Sequence, residues 1–255
     1  MRLLITGAEY TGTTTLSWAI VEWMRENMGV ANLWTHDHFK WPHLSHPRAR
    51  SAAHQDEMYA DWLAGKAEDP TRLGLTLEEQ KKIMALSPRL REMFQRYLVS
   101  YHVMPAFFQE PDYIVIGMHI EEAVYAPMYM GYGRNGEYGD RAEMAMDVEQ
   151  ALFKYAPDLV MVMLNASPEV VSSRMKATPH TNSIVPERDV PTVLRRFEEV
   201  YAASSIHRKF KIDTSKATVQ ESLAEFLQKM EPLWSDTDRL RIMSHKQLRR
   251  FGHKV

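Results

Sequence analysis

At 255 residues, 45% hydrophobic and 25% charged, the chain has the composition of a soluble globular protein, with material for one large core or one core plus a lid. A formal net charge of -2 excludes a general attraction to nucleic acid or to an acidic membrane, so an anionic ligand must be met by a local cluster of positive groups. The lack of cysteine excludes disulfides, thiolate chemistry and cysteine-based zinc sites. The apolar run before Gly7 is too brief for a signal peptide, and a cytoplasmic protein is expected, with neither membrane nor nucleic-acid partners.

Strand and helix signals alternate from the start, the mark of a mainly parallel sheet covered by helices. Residues 2–6 read as a buried strand, and residues 13–28 place Leu16, Ile20, Trp23, Met24 and Met28 on one helical stripe that Gly29 ends. Ala31 to His36 forms a second strand, leading into the loop "HDHFKWPHLSHP". Residues 50–104 read as inserted helices. Thr76 and Glu79 have capping-box spacing, and Ser87-Pro88 opens a segment whose Leu90, Met93, Phe94, Tyr97, Leu98 and Tyr101 keep helical spacing up to Pro105.

"YIVIG" at 113–117 and "DLVMVML" at 158–164 are buried strands, separated by the glycine-punctuated loop "YMGYGRNGEYGDR" and a helix at about 140–155. Ser167-Pro168 opens a further helix. The polar, basic stretch from Arg174 to Val190, with three prolines nearby, reads as a lid. "KFKID" is a last strand, and Thr218 with Glu221 caps the helix after it. The tail from Asp236 carries six cationic and two anionic residues and reads as a surface arm or an oligomer contact. Seventeen methionines, among them Met118, Met128 and Met130, either fill the core or line an adaptable pocket. His36 and His38 stand two apart as metal ligands would, but no third ligand accompanies them.

The stretch Gly7, Ala8, Glu9, Tyr10, Thr11, Gly12, Thr13, Thr14, Thr15 follows the first strand and opens the first helix. Two glycines five apart and a threonine at the magnesium-binding place fit a phosphate loop, except that Thr13 stands where that motif has lysine. Loop N–H groups and the helix N-terminus would point at an anion, and Thr14 would put its hydroxyl on a magnesium ion. An ordinary threonine-capped turn is the plainer alternative.

With these segments the chain resembles the P-loop kinases of nucleosides, nucleotides and related small molecules, from the first strand to about Met230. "HDHFKWP" looks like the Asp-x-Phe-x-x-Pro element of uridine and nicotinamide riboside kinases, which carries over Asp37 as the residue near the acceptor hydroxyl. "VMVMLNASPEVVSSRMKATPH" looks like the fourth strand, helix and lid arginine of thymidylate-kinase-like proteins, which carries over Arg174. The resemblance implies an α/β fold with five parallel strands and helices on both faces in a domain over 1–235, with a helical acceptor-side insertion at about 41–108 and a lid at about 175–190, and the charge count sets off a basic tail at 236–255.

On this reading ATP and Mg2+ are bound, Asp37 is the base, and Arg174 and Arg188 hold phosphate from the lid. His38, Phe39 and Lys40 flank the acceptor. Glu121 and Glu122 follow the third strand, where these kinases carry an acidic residue that touches magnesium or acceptor, and Tyr125, Tyr129 and Tyr132 are placed to stack on a planar acceptor. Thr14, Asp37 and Glu121 are the expected magnesium contacts. Asp140-Arg141 resembles the Asp-Arg pair of thymidylate kinases, or simply opens a helix.

The missing lysine leaves three outcomes. Another cation replaces it, with Arg174, Lys176, Arg188, Arg195, Arg196 and Lys40 as candidates; the donor is not a nucleoside triphosphate; or binding survives without transfer. An ATP-dependent phosphotransferase acting on a small acceptor is thus set against a non-catalytic nucleotide-binding regulator. It is also set against a sulfotransferase-like enzyme, whose loop "YTGTTTLSW" resembles but whose basic residue is replaced by Tyr10. A homodimer is left open.

Overall fold

Along the strands, successive side chains enter two different cores, and this alternation builds the molecule outward from one sheet. In the computed structural model, which describes residues 1–30, 34–37, 77–105, 108, 111–180 and 183–251, residues 34–37, 77, 80 and 101 are described by their main chain only. Five parallel strands, β1 (Arg2–Thr6), β2 (Trp34–Asp37), β3 (Tyr113–Ile116), β4 (Val160–Asn165) and β5 (Lys209–Asp213), lie in the order β2-β3-β1-β4-β5. Leu3 of β1 aligns with Ile114 on one side and Val160 on the other. Leu3, Ile5, Ile114, Ile116, Val160 and Val162 face one core, and Leu4, Tyr113, Val115, Met161 and Met163 the other. That is why these stretches read as unbroken apolar runs.

The first core is closed by α1 (Thr13–Met28) and α8 (Val219–Met230), through Leu16, Ile20, Met24 and Phe226. The expected stripe on α1 is buried at Leu16, Ile20, Met24 and Met28, while Trp23 is half-buried and stacks on Trp234. The second core lies under α4 (Met118–Tyr125), α5 (Arg141–Tyr155) and α7 (Val190–Ala203). The inserted region contributes α2 (Leu77–Met84) and α3 (Pro88–Tyr101), and α6 (Pro168–Ala177) follows β4. Thr76, with the rest of residues 38–76, lies outside the described residues.

Local capping chemistry sets the helix starts. Ser167 caps α6 ahead of Pro168, Thr218 and Glu221 close a capping box on α8, and Asp140 caps α5 through the amides of Ala142 and Glu143. Met118 and Met130 are core residues and Met128 packs at its edge, so these methionines fill space.

The tail differs from the expected surface arm. Residues Asp236–Arg250 form α9, which packs on α1. Its Asp238 pairs with the N-terminal ammonium at 2.9 Å, and Arg241 reaches Asp112 at 2.9 Å. A charge count alone cannot show this, because the docking face consists of one acid, one imidazole and Ile242 set among basic residues. No helix among the described residues is long and apolar enough to cross a membrane.

The chain leaves β1 for β2 and β3 on one side, then returns to place β4 and β5 on the other. Such a switch in strand order opens a crevice at the carboxyl ends of the strands, and the bend after β1 lies directly in it.

Candidate active site: a glycine loop with one arginine

The bend from Gly7 to Gly12 is shaped by what two glycines allow. A Cβ at Gly7 would stand 2.6 Å from the main-chain oxygen of Leu164 and 2.6 Å from Thr11 Oγ1, so only hydrogen fits between β1 and β4 there. A Cβ at Gly12 would meet only Leu164 Cδ2, at an ordinary 3.9 Å, but the residue takes φ 95°, a left-handed conformation that turns the chain into α1. No side chain among the described residues caps α1. The amides of its first turn, at Thr13, Thr14 and Thr15, therefore lie at the mouth of the helix with the positive end of its dipole. They open onto a cavity of about 830 Å³.

Inside the bend, the Thr11 amide and hydroxyl both donate to the Ala8 carbonyl, at 3.1 and 2.8 Å. The Glu9 amide donates to the Tyr125 phenol oxygen at 3.1 Å. Burial pushes the Tyr125 phenol well above its usual range, so it stays protonated. Tyr10 takes φ 67°, which a tyrosine adopts only when its surroundings hold it there. Two contacts do so: Arg174 Nη1 donates to its carbonyl at 2.9 Å, and its ring stacks on His180 with centroids 4.2 Å apart. The His180 amide also donates to the Tyr10 phenol at 2.8 Å, and Ser183 Oγ donates to the Glu9 carboxylate at 2.5 Å.

Arg174 projects from α6, and Thr214 directly follows β5. Arg174 Nη1 donates to Thr214 Oγ1 at 3.1 Å and Nη2 to the Thr214 carbonyl at 2.7 Å, while Thr214 Oγ1 donates to the Thr11 carbonyl at 2.8 Å. Three N–H donors of the guanidinium thus grip protein, and two of its five are left for a ligand. Among the described residues Arg174 is the one lysine or arginine that lines the cavity.

The other cations are engaged elsewhere. Arg188 is 86% exposed and lies 3.7 Å from Asp189 on the 3-10 turn Glu187–Asp189, which turns it outward, away from the cavity where a lid role would need it. Lys176 pairs with Glu187, and Arg195 and Arg196 both pair with Glu199. His38, Phe39 and Lys40 lie outside the described residues. Asp37 ends β2, aligned with Ile116 of β3, and nothing is described of its side chain.

Glu121 and Tyr125 line the cavity, and the Glu121 carboxylate fills the volume where a side chain on Gly117 would stand. Glu122 and Arg141 do not share that place. Arg141, 2% exposed, donates from Nε to Glu122 at 3.0 Å and from Nη1 to Glu92 at 3.0 Å, over the Tyr132 ring. Burial raises the Glu122 carboxyl against the pull of Arg141. Burial also works against Glu92, but hydrogen bonds from Arg141, Arg96 and Tyr138 together hold it below its usual value. This cluster ties α3, α4 and α5 together. The expected acceptor contacts at Glu122 and Arg141 are therefore internal partners of each other. Tyr129 donates to Asp189 and Tyr132 lies beneath Arg141, so of the three tyrosines only Tyr125 faces the loop.

Sequence reasoning missed Thr214, His180 and Ser183. Thr214 had a signal in its position at the carboxyl end of a strand, whereas the pairings of His180 and Ser183 span about 170 residues of chain.

For a nucleotide with magnesium the donor set fits. Amides and a helix N-terminus suit phosphate, and Thr14 and Glu121 offer two oxygen ligands to a cation that keeps most of its waters. No group of three or more His, Asp or Glu side chains that could hold a metal is present among the described residues.

Solved structures agree with this architecture. The deoxyadenosine kinase of M. mycoides with bound dCTP matches at TM-score 0.51 and 14% identity, covering 91% of this chain and 100% of that one. The same kinase with bound dATP matches at TM-score 0.50 and 15% identity over 91% and 100%. The fold is that of the P-loop kinases. Within the P-loop kinase fold, the lysine-free loop sits at the strand-order switch with Arg174 beside it. No protein-family model and no curated protein matches the sequence.

Proposed function

We propose that the protein is a phosphotransferase that moves a phosphoryl group from ATP, with Mg2+, to a small acceptor of the nucleoside or nucleotide kind. The observation that carries this reading is the uncapped N-terminus of α1, opening with a glycine-built bend onto a cavity whose one fixed cation, among the described residues, is Arg174. The first-turn amides hold the donor phosphates, and the two remaining donors of Arg174 supply part of the charge that Thr13 does not. Thr14 and Glu121 are the residues that would hold magnesium, which would supply charge neutralisation on the transferred group. Asp37, at the strand end next to the Gly117 bend, is the base we assign to take the proton of the acceptor hydroxyl. Tyr10, His180 and Ser183 hold the bend in shape through ring stacking and hydrogen bonds to Tyr10 and Glu9.

The test is thermal denaturation with and without millimolar ATP and Mg2+, followed by ATP consumption over a panel of acceptors. Ligand at a hundredfold over Kd adds about 2.7 kcal/mol, a rise of about 5–10 °C for a chain of this size. An unmoved melting curve refutes the reading. A second reading is favoured by the Glu9 carboxylate in the bend, which repels polyphosphate: a regulator that binds nucleotide without turning it over. A stabilised protein that leaves ATP intact with every acceptor selects it. Preference for adenosine 3',5'-bisphosphate over ATP selects sulfotransfer instead.

A further inference from the structure

A helix that packs on a protein body ordinarily turns its apolar stripe inward. On α9 the arrangement is reversed. Its inner face sets the buried Asp238 and His245 and the partly buried Ile242 against the rest of the chain, while Leu240, Met243, Leu248 and the adjoining Phe251 are between 43% and 74% exposed. With about 3.6 residues to the turn, Leu240, Met243 and Phe251 fall within about 80° of one another, on the side opposite that inner face. Arg239, Lys246 and Arg250, all exposed, form one border of the stripe.

The helix is held so that it presents this side. Asp238 pairs with the N-terminal ammonium and Arg241 with Asp112, and the His245 ring packs so closely on Gly29, at the end of α1, that a Cβ there would stand 2.9 Å from it. From Arg239 to Phe251 the sequence has five lysines and arginines and no acid. The net charge of -2, which speaks against an acidic membrane for the chain as a whole, averages this concentration away. Asp236 and the exposed Glu231 are the acids nearest in sequence, which shifts the cationic part toward Met243–Phe251.

We propose that this face of α9 rests on a bilayer surface rich in anionic lipid, with Leu240, Met243 and Phe251 entering the acyl boundary and the cations at headgroup level. A second copy of the chain would bring the same acid-free, cationic border against itself across a two-fold axis. A protein partner finds little to hold: the helix offers a face about 22 Å long and about 10 Å wide, about 220 Å², against about 800 Å² a side in stable complexes. A bilayer closes around a few apolar side chains, and each lysine or arginine near an anionic surface adds about fivefold in affinity. The face shares no residue with the loop cavity, so the inference stands whether or not the protein transfers phosphate.

Co-sedimentation of the full chain with phosphatidylcholine vesicles, with and without phosphatidylserine, tests it. Binding is expected to be at least about tenfold tighter with phosphatidylserine and to weaken as salt is raised. Met243→Asp/Phe251→Asp, with its circular dichroism preserved, lowers the affinity about tenfold or more. Should that variant fail to fold, Lys246→Glu/Arg250→Glu at exposed positions keeps the test open, with an expected loss of at least about 25-fold. A chain that stays in the supernatant with phosphatidylserine vesicles overturns the inference, and so does binding that both variants leave unchanged. A light-scattering mass of twice 29.6 kDa that Met243→Asp/Phe251→Asp halves also overturns it, since a second copy would then cover the face.

Discussion

Replacing Arg174 by alanine removes a strut and a charge at once, and the two effects can be read separately. The guanidinium makes hydrogen bonds of 2.9 Å to Tyr10, 3.1 Å to Thr214 Oγ1 and 2.7 Å to the Thr214 carbonyl. Bonds to a charged group contribute about 1.5–3 kcal/mol each when buried. Arg174 is only half-buried and water would take over its acceptors in the variant, so the net loss is about 2 kcal/mol in all. For a chain of this length that lowers Tm by about 4–8 °C. The charge effect appears in binding: with no other arginine or lysine on the cavity wall among the described residues, affinity for ATP with Mg2+ falls about 10- to 100-fold. Arg174→Lys keeps the charge without the planar fork, so it regains affinity in part and little of the stability. Scanning fluorimetry without ligand and calorimetric titration with it separate the two. An alanine variant that melts with the wild type and binds nucleotide equally would refute both roles.

The two glycines of the bend should fail differently. Gly7→Ala drives a methyl group into the Leu164 carbonyl, which is main chain of β4 and cannot yield, and costs about 2–3 kcal/mol in urea unfolding. Gly12→Ala meets nothing closer than 3.9 Å and bears only the left-handed backbone penalty, about 1–2 kcal/mol; the reverse ranking would contradict the packing described for Gly7. His102 carries a pH dependence. Burial lowers its pKa to about 4, although its Nδ1–H bonds the Leu98 carbonyl at 2.7 Å. Between pH 6.5 and about 4 the unfolded chain takes up a proton that the native imidazole refuses, so stability falls as pH drops through that window, by about 3 kcal/mol in full. Melting curves of His102→Gln should have a shallower slope above about pH 5, before the carboxylates titrate; identical slopes would refute the assignment.

Much of the fold was legible because its signals are local. Leu3 to Ile5, the run from Val160 to Leu164, Ser167-Pro168 and the Thr218–Glu221 box each determine their own conformation within a few residues. The bend at Gly7 and Gly12 was legible for the same reason, and so was Arg174, one helix beyond a buried strand. The fate of Glu122 and Arg141 was not. Their partner Glu92 lies 49 residues before Arg141, and only the packing of α3 against α5 brings it there. Asp140 was read both ways, and its bonds to the amides of Ala142 and Glu143 make it a helix cap. Likewise the charges of Arg188 and Lys176 were plain in the sequence, but the outward turn of Glu187–Asp189 was not.

Tyr10 belongs to the bend by its backbone and to the 178–180 stretch by its ring, while Glu9 grips Ser183 three positions further on. Any molecule that reshapes the bend must then tug on His180 and Ser183, and a pull on those two residues must deform the bend. Filling and emptying are geared to movement at the rim, so a protease or an antibody acting there should sense what the interior holds.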